Sequence, residues 1–186
     1  MTEIWELCRR LSNPERRALL RKVYESKDGI NVGTANEHAD GLKQSGTSQY
    51  LGQLWKLGLI RRARSGKYVN YYAAPENAHV LIQDVALALQ ERFRAEFGSG
   101  NQDEGYVPVM RVMGNAMRAK IVGMLAREGR ACRKYVCDKT GLEEKALIRH
   151  LKPALKIGLV QFDAKEILWV NQPTDTIAKL IVNSYS

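Results

Sequence analysis

The residues best equipped for chemistry lie between Gly41 and Pro75, a stretch that carries Lys43, Lys56, Arg61, Arg62, Arg64 and Lys67 and no Asp or Glu. A window of cations with no acid in it points to a polyanionic partner, because each cation gains from a phosphate and nothing nearby opposes it. If Leu51 and Leu54 point inward, then Gln44, Ser45, Ser48, Gln49, Gly52 and Gln53 share the outward face of one helix. Glutamines can bond a base edge through two atoms, and short hydroxyls reach an edge or a phosphate. Lys43 stands just ahead of them, while Arg62, Arg64, Lys67 and Tyr68 surround Ser65-Gly66. That turn could reach a phosphate backbone or an adjacent minor groove. Gly52 costs about 1 kcal/mol against alanine inside a helix, which hints at a close approach on that face.

Other chemistries find no footing. There is no glycine-rich phosphate loop in a strand-loop-helix context, no HExxH and no nucleophile elbow, so an enzyme is not expected. Glu143-Glu144 and Asp103-Glu104 are neighbours on exposed stretches and read as solvated charges. His38, His79 and His150 are scattered, and Cys132 and Cys137 are five residues apart, a poor spacing for one helical face. A soft-metal site needs at least three convergent ligands, so no metal and no cofactor are expected. The three thiols, Cys8 among Ile4 and Leu11 included, read as small apolar groups.

Composition agrees. At 186 residues the chain has room for one ordinary domain or two small ones, and a net charge of +9 with 45% hydrophobic residues suits a globular chain with a basic surface. An odd, sparse set of cysteines and no long uncharged apolar stretch lead us to expect a cytoplasmic protein with no membrane partner.

The elements that must position these residues divide at FGSGNQDEG, Phe97 to Gly105, which can continue neither helix nor strand. We therefore expect one domain over 1–97, a linker over 98–105 and a second domain over 106–186. The two parts look like copies. Leu11–Val23 lies over Met113–Leu125, pairing Asn13 with Asn115 and Arg16 with Arg118, and Leu42–Ile60 lies over Leu142–Val160 with Leu42, Leu51, Gly58 and Leu59 identically matched. An apolar frame kept while exposed residues change is the mark of a repeated supersecondary unit. Each copy reads as a helix from Asn13-Pro14, a short helix over Thr34–Asp40 stopped by Gly41, a third helix from an N-cap at Ser45 to Leu57, then a hairpin around Ser65-Gly66. The second hairpin runs from Leu159 to Asn171. Thr2–Leu11 and Asp175–Val182 are further helices, and Pro75–Phe97 reads as one long helix of about 35 Å with Ala78, Ile82, Val85, Leu89, Phe93 and Phe97 on one stripe. The fold class expected is mainly α with small β-hairpins, as two winged helix-turn-helix units joined by a long helix.

On Asn13-Pro14-Glu15-Arg16, Gln44 to Leu51, Leu57-Gly58-Leu59-Ile60 and the basic run Arg61 to Tyr72, residues 5 to 97 resemble the ArsR-like winged helix-turn-helix regulators. The second copy resembles them too, present as a tandem repeat, with Arg149-His150-Leu151-Lys152 matching the later half of the recognition helix. The resemblance implies a transcriptional regulator that binds double-stranded DNA as a dimer, with Pro75 to Phe97 as the helix through which two chains pair; the alternative is a single-chain pseudo-dimer in which the second unit folds back on that helix. Secondary contacts would come from Lys145, Arg149 and Lys152, although Glu143 and Glu144 would repel phosphates and Ile148 replaces Ser48. A basic stretch, Arg118, Lys120, Arg127, Arg130, Arg133 and Lys134, adds weak attraction. The alternative is a winged-helix interaction or assembly scaffold that keeps the fold without reading DNA sequence.

Overall fold

Asn13 and Pro14 open a helix because each suits a different orphan group at its start. The computed structural model describes residues 4–37, 43–73, 80–96 and 105–185. In it α1 (Ile4–Leu11) is followed by α2 (Pro14–Glu25), where Pro14 occupies a position whose N–H has no helical acceptor. The Asn13 Oδ1 accepts the Arg16 N–H at 2.9 Å.

One unit, built on Arg10–Asp103, continues from α2 through β1 (Ile30–Asn31), α3 (Val32–Glu37), α4 (Gln44–Lys56), β2 (Ile60–Ser65), β3 (Tyr68–Ala73) and α5 (Val80–Glu96). Its antiparallel sheet has the order β1-β3-β2. Several boundaries differ from those expected. The short helix starts at Val32 rather than Thr34, because Asn31 Oδ1 accepts the Thr34 N–H while Thr34 Oγ1 accepts the Asn31 N–H, a reciprocal box that sets the first turn earlier. The stop at Gly41 lies outside the described residues. Lys43, not Ser45, is the N-cap of α4 and has no side-chain capping bond. The hairpin turn is Gly66-Lys67, one residue later than Ser65-Gly66, because Ser65 pairs with Tyr68 and Gly66 takes the positive φ of 59° that the first position of a type II′ turn requires. The two-residue β1 carries too little pattern to be seen in sequence.

The core of this unit holds Leu19, Leu20 and Val23 of α2, Leu51 and Leu54 of α4, and Ile82, Val85, Leu89 and Phe93 of α5. Helix α5 packs on α2, where Phe93 lies 6.1 Å from the Tyr24 ring and the Arg21 guanidinium, 4.4 Å above Phe93, is 2.6 Å from Glu96. The stripe expected to be covered by the second unit or by a partner chain is thus buried within this unit over Ile82 to Phe93, while Val80 and Leu87 are exposed. Ala78 and Phe97 lie outside the described residues.

The second unit comprises Glu104–Ser186 together with Glu3–Arg9. The first helix therefore counts largely with the later half of the chain, not with 1–97. Gly114 makes room for it: a Cβ there would stand 2.9 Å from the Arg9 Cα. The order is α6 (Val107–Met113), α7 (Ala116–Glu128), β4 (Arg130–Cys132), α8 (Arg133–Thr140), α9 (Glu144–Lys156), β5 (Val160–Phe162), β6 (Ile167–Val170) and α10 (Thr176–Asn183), with a sheet ordered β4-β6-β5. Asn115 Oδ1 caps α7 at the Arg118 N–H, 3.1 Å, as Asn13 does for α2. Asp175 is the N-cap of α10 rather than its first residue. Gly58 and Gly158 end α4 and α9 with φ of 78° and 71°, and in both the next Leu N–H bonds back to a carbonyl of the last turn.

Candidate nucleic-acid interface

Helix α4 is held from behind by a hydroxyl and a phenol that sequence reasoning passed over. Thr47 is fully buried and its Oγ1 donates to Asn36 Oδ1 at 3.0 Å, which ties α4 to α3. The Tyr24 hydroxyl donates to the Leu59 carbonyl at 2.9 Å, fixing the exit of α4 to the end of α2, and burial pushes its pKa far up, so it stays a donor. Both partners are distant in sequence, so neither bond has a local signal.

On the opposite side Lys43, Gln44, Ser45, Ser48 and Gln49 are exposed. Gln53 is not placed with them: it is half-buried, and its Oε1 is buried with no hydrogen-bond partner among the described residues. Its position, two residues after Leu51 and one before Leu54, turns it towards the edge of the buried face. Gly52 has open space around it, since a Cβ would meet no atom within 4 Å. Nothing in the unit's own packing requires a glycine there.

The hairpin brings its cations beside this helix. Arg62 is exposed, yet its guanidinium lies 3.5 Å from the Trp55 ring centroid, which holds the base of the strand against α4; such a stack contributes about 0.5–1 kcal/mol at an exposed site. Arg64 Nε donates to the Gly66 carbonyl at 3.2 Å across the turn, and Lys67 lies 5.2 Å from the ring of Tyr68, which is 54% exposed. Of the other wing tyrosines, Tyr71 is buried and Tyr72 half-buried beneath Arg61. On α4 itself Tyr50 is covered by Arg16 at 5.0 Å. Tyr50 and Trp55 adjoin positions that the helical pattern does single out, but their pairing with arginines could not be read from spacing.

The second unit carries its charges differently. Glu143, Glu144, Lys145, Ile148, Arg149 and Lys152 are all exposed on or beside α9. Arg133 NH1 lies 3.3 Å from Glu144 and 2.7 Å from Glu166 at the hairpin tip, and its guanidinium also sits 5.3 Å from Phe162. The basic stretch is accordingly less available than its sequence suggests: Arg118 donates to the Val112 and Arg111 carbonyls, Arg127 donates to the Tyr185 carbonyl, and Arg130 stacks on Trp169.

The thiols part company. Cys8 is buried, as its apolar neighbours imply, whereas Cys132 is exposed at the cap of α8 and Cys137 is half-buried. Strand β4 ends at Cys132, with the small Ala131 taking the buried place. Among the described residues no three His, Cys, Asp or Glu side chains group as a metal site, and no helix is long and apolar enough to cross a membrane. His38 and His79 lie outside those residues.

A mainly helical chain with small antiparallel sheets, in which a polar helix face stands beside a basic hairpin, is consistent with the winged-helix class. Over 73 residues the chain is 34% identical to an arsenical resistance operon repressor of Halobacterium salinarum, a match that covers 39% of this chain and 60% of that protein. The chain thus spans about three fifths of its relative's length. No family model and no solved structure matches it.

Proposed function

We propose that the chain is a DNA-binding transcriptional regulator made of two winged helix-turn-helix units, of which the first reads sequence. One observation carries this reading: Gln44, Ser45, Ser48 and Gln49 are exposed together on α4, next to a hairpin with Arg62, Arg64 and Lys67, and the window contains no acid. The glutamines and serines take base edges, and the cations take phosphates on either side. Likeness to a repressor supports regulation of transcription. Two chains pair through α5, whose exposed Val80 and Leu87 supply the apolar contact. A second reading, an interaction or assembly scaffold, is favoured for the second unit alone, because exposed Ile148 and Phe162 stand beside the Arg133 ion pairs there.

The test is duplex binding by fluorescence anisotropy against a salt series, on the sequence selected from random duplexes. Arg62→Ala with Arg64→Ala should weaken binding to all sequences and flatten the salt slope by up to about two, roughly one per phosphate contact. Gln49→Ala should instead cost about 1–3 kcal/mol on the selected sequence and little elsewhere. If neither substitution changes either affinity, the interface lies elsewhere.

A further inference from the structure

The first unit has a cavity of about 590 Å³ on the sheet face away from α4, walled by the end of α2, the start of the hairpin and the later turns of α5. That volume falls within the ordinary range for a small-molecule site. Its charge is lopsided. Among the described residues, Lys27, Arg61 and Arg94 line it against a single carboxylate, Glu25. None of the three cations has a carboxylate within ion-pair distance among the described residues. Burial raises the Glu25 carboxyl, although Arg21 and Lys22 oppose the shift. One wall is a stack of two planes: the half-buried Tyr72 ring with the Arg61 guanidinium over it, 4.6 Å from the ring centroid. Gly29 lets that ring settle, since a Cβ there would stand 2.6 Å from it. Gln90 adds an amide from α5.

We propose that this cavity binds a small organic anion with a planar aromatic body, an aromatic carboxylate, its charge set among Lys27, Arg61 and Arg94 and its ring against Tyr72. Three cations set against one carboxylate select an anion, and the stacked planes of Arg61 and Tyr72 select a ring over an aliphatic chain. Resting on the DNA-binding reading, the cavity is also an effector site. Arg61 and Arg62 are adjacent on β2, so their side chains leave opposite faces of the sheet: one lines the cavity, the other stacks on Trp55 of α4. A ligand that holds Arg61 acts on the strand that places the wing.

Calorimetric titration of the full chain with 2-naphthoate tests this, with acetate and 2-naphthalenemethanol as probes that lack the ring or the charge. One saturable site per chain for 2-naphthoate is expected, with neither control approaching its affinity. Arg94→Gln and Lys27→Gln, each chosen because the side chain makes no ion pair among the described residues, should each weaken it at least about tenfold, the loss of one charge-assisted contact. Unchanged thermal unfolding of both variants establishes that they fold, and Ala73→Leu, which narrows the cavity without touching a charge, should lower affinity too. No saturable binding at millimolar 2-naphthoate, or binding that none of the three variants weakens, overturns the proposal. Duplex affinity is measured separately with and without 2-naphthoate. A change in it that Arg94→Gln abolishes supports the effector role, and an unchanged duplex affinity at saturating ligand refutes that role. A chain that binds 2-naphthoate and no duplex refutes the DNA reading while leaving the cavity assigned.

Discussion

At Gly29 a single hydrogen in place of a methyl lets the chain pass close against the Tyr72 ring. Its φ of 76° is costly for any residue with a Cβ, and the added carbon would meet the Tyr72 ring at 2.6 Å and the Tyr71 carbonyl at 2.8 Å. Gly29→Ala should destabilise the chain by about 2–4 kcal/mol, combining left-handed backbone strain with overpacking. Denaturant unfolding measures this, and a loss under 1 kcal/mol, roughly the simple propensity difference, would mean that Tyr72 moves freely. At the same scale the sequence was informative about exposure and weak about partners. Gln44, Ser45, Ser48 and Gln49 are exposed as the positions of Leu51 and Leu54 dictate, because a helical period is local. Gln53 departs from the outward set because its place beside Leu54 leaves it half-buried, and the arginine stacks on Tyr50, Trp55 and Tyr72 join residues that only the folded chain brings together.

The elements were legible where a chemical rule marks their ends. Asn13 with Pro14, Asn115, Gly58 and Gly158 all act where such residues act in any helix. Boundaries slipped where no capping side chain marks the start, as at Lys43, which precedes α4 without a side-chain bond while Ser45 lies inside the first turn, or where the strand is only two residues long, as with β1. The clearest element-scale difference between the units is Arg133, which joins α8 to the start of α9 and to the hairpin tip through two carboxylates. Its ion pairs have exposed acids, so they contribute little to stability, but they hold the cation away from any phosphate. Replacing both acids, Glu144→Gln with Glu166→Gln, should therefore leave unfolding nearly unchanged and steepen the salt dependence of duplex binding by about one phosphate contact. An unaltered slope in that double variant would show that the second unit does not face DNA at all.

For the molecule as a whole, sequence correctly marked α5 as apolar but not what covers it. Leu89 is 1% exposed, so Leu89→Glu would unfold the unit rather than report on pairing, whereas Leu87 at 42% and Val80 at 66% are open to a second chain. Light scattering at micromolar concentration should give twice the chain mass, and Leu87→Glu should shift it towards the single chain with the fold retained. A wild-type mass of one chain would exclude pairing. The attachment of Glu3–Arg9 to the later unit was invisible for a plain reason: an apolar stripe of Ile4, Leu7, Cys8 and Leu11 says that a helix is buried, not against which surface.

The open space around Gly52 bears on how far this chain stands from its own thermal optimum. A methyl group there would touch nothing and would raise helix propensity by about 1 kcal/mol, enough to lift the melting temperature of a small domain by several degrees. The chain forgoes that gain at the centre of the helix that carries Ser48 and Gln49; on the proposed DNA-binding reading, robustness to heat and a close approach of the duplex would compete for this one position.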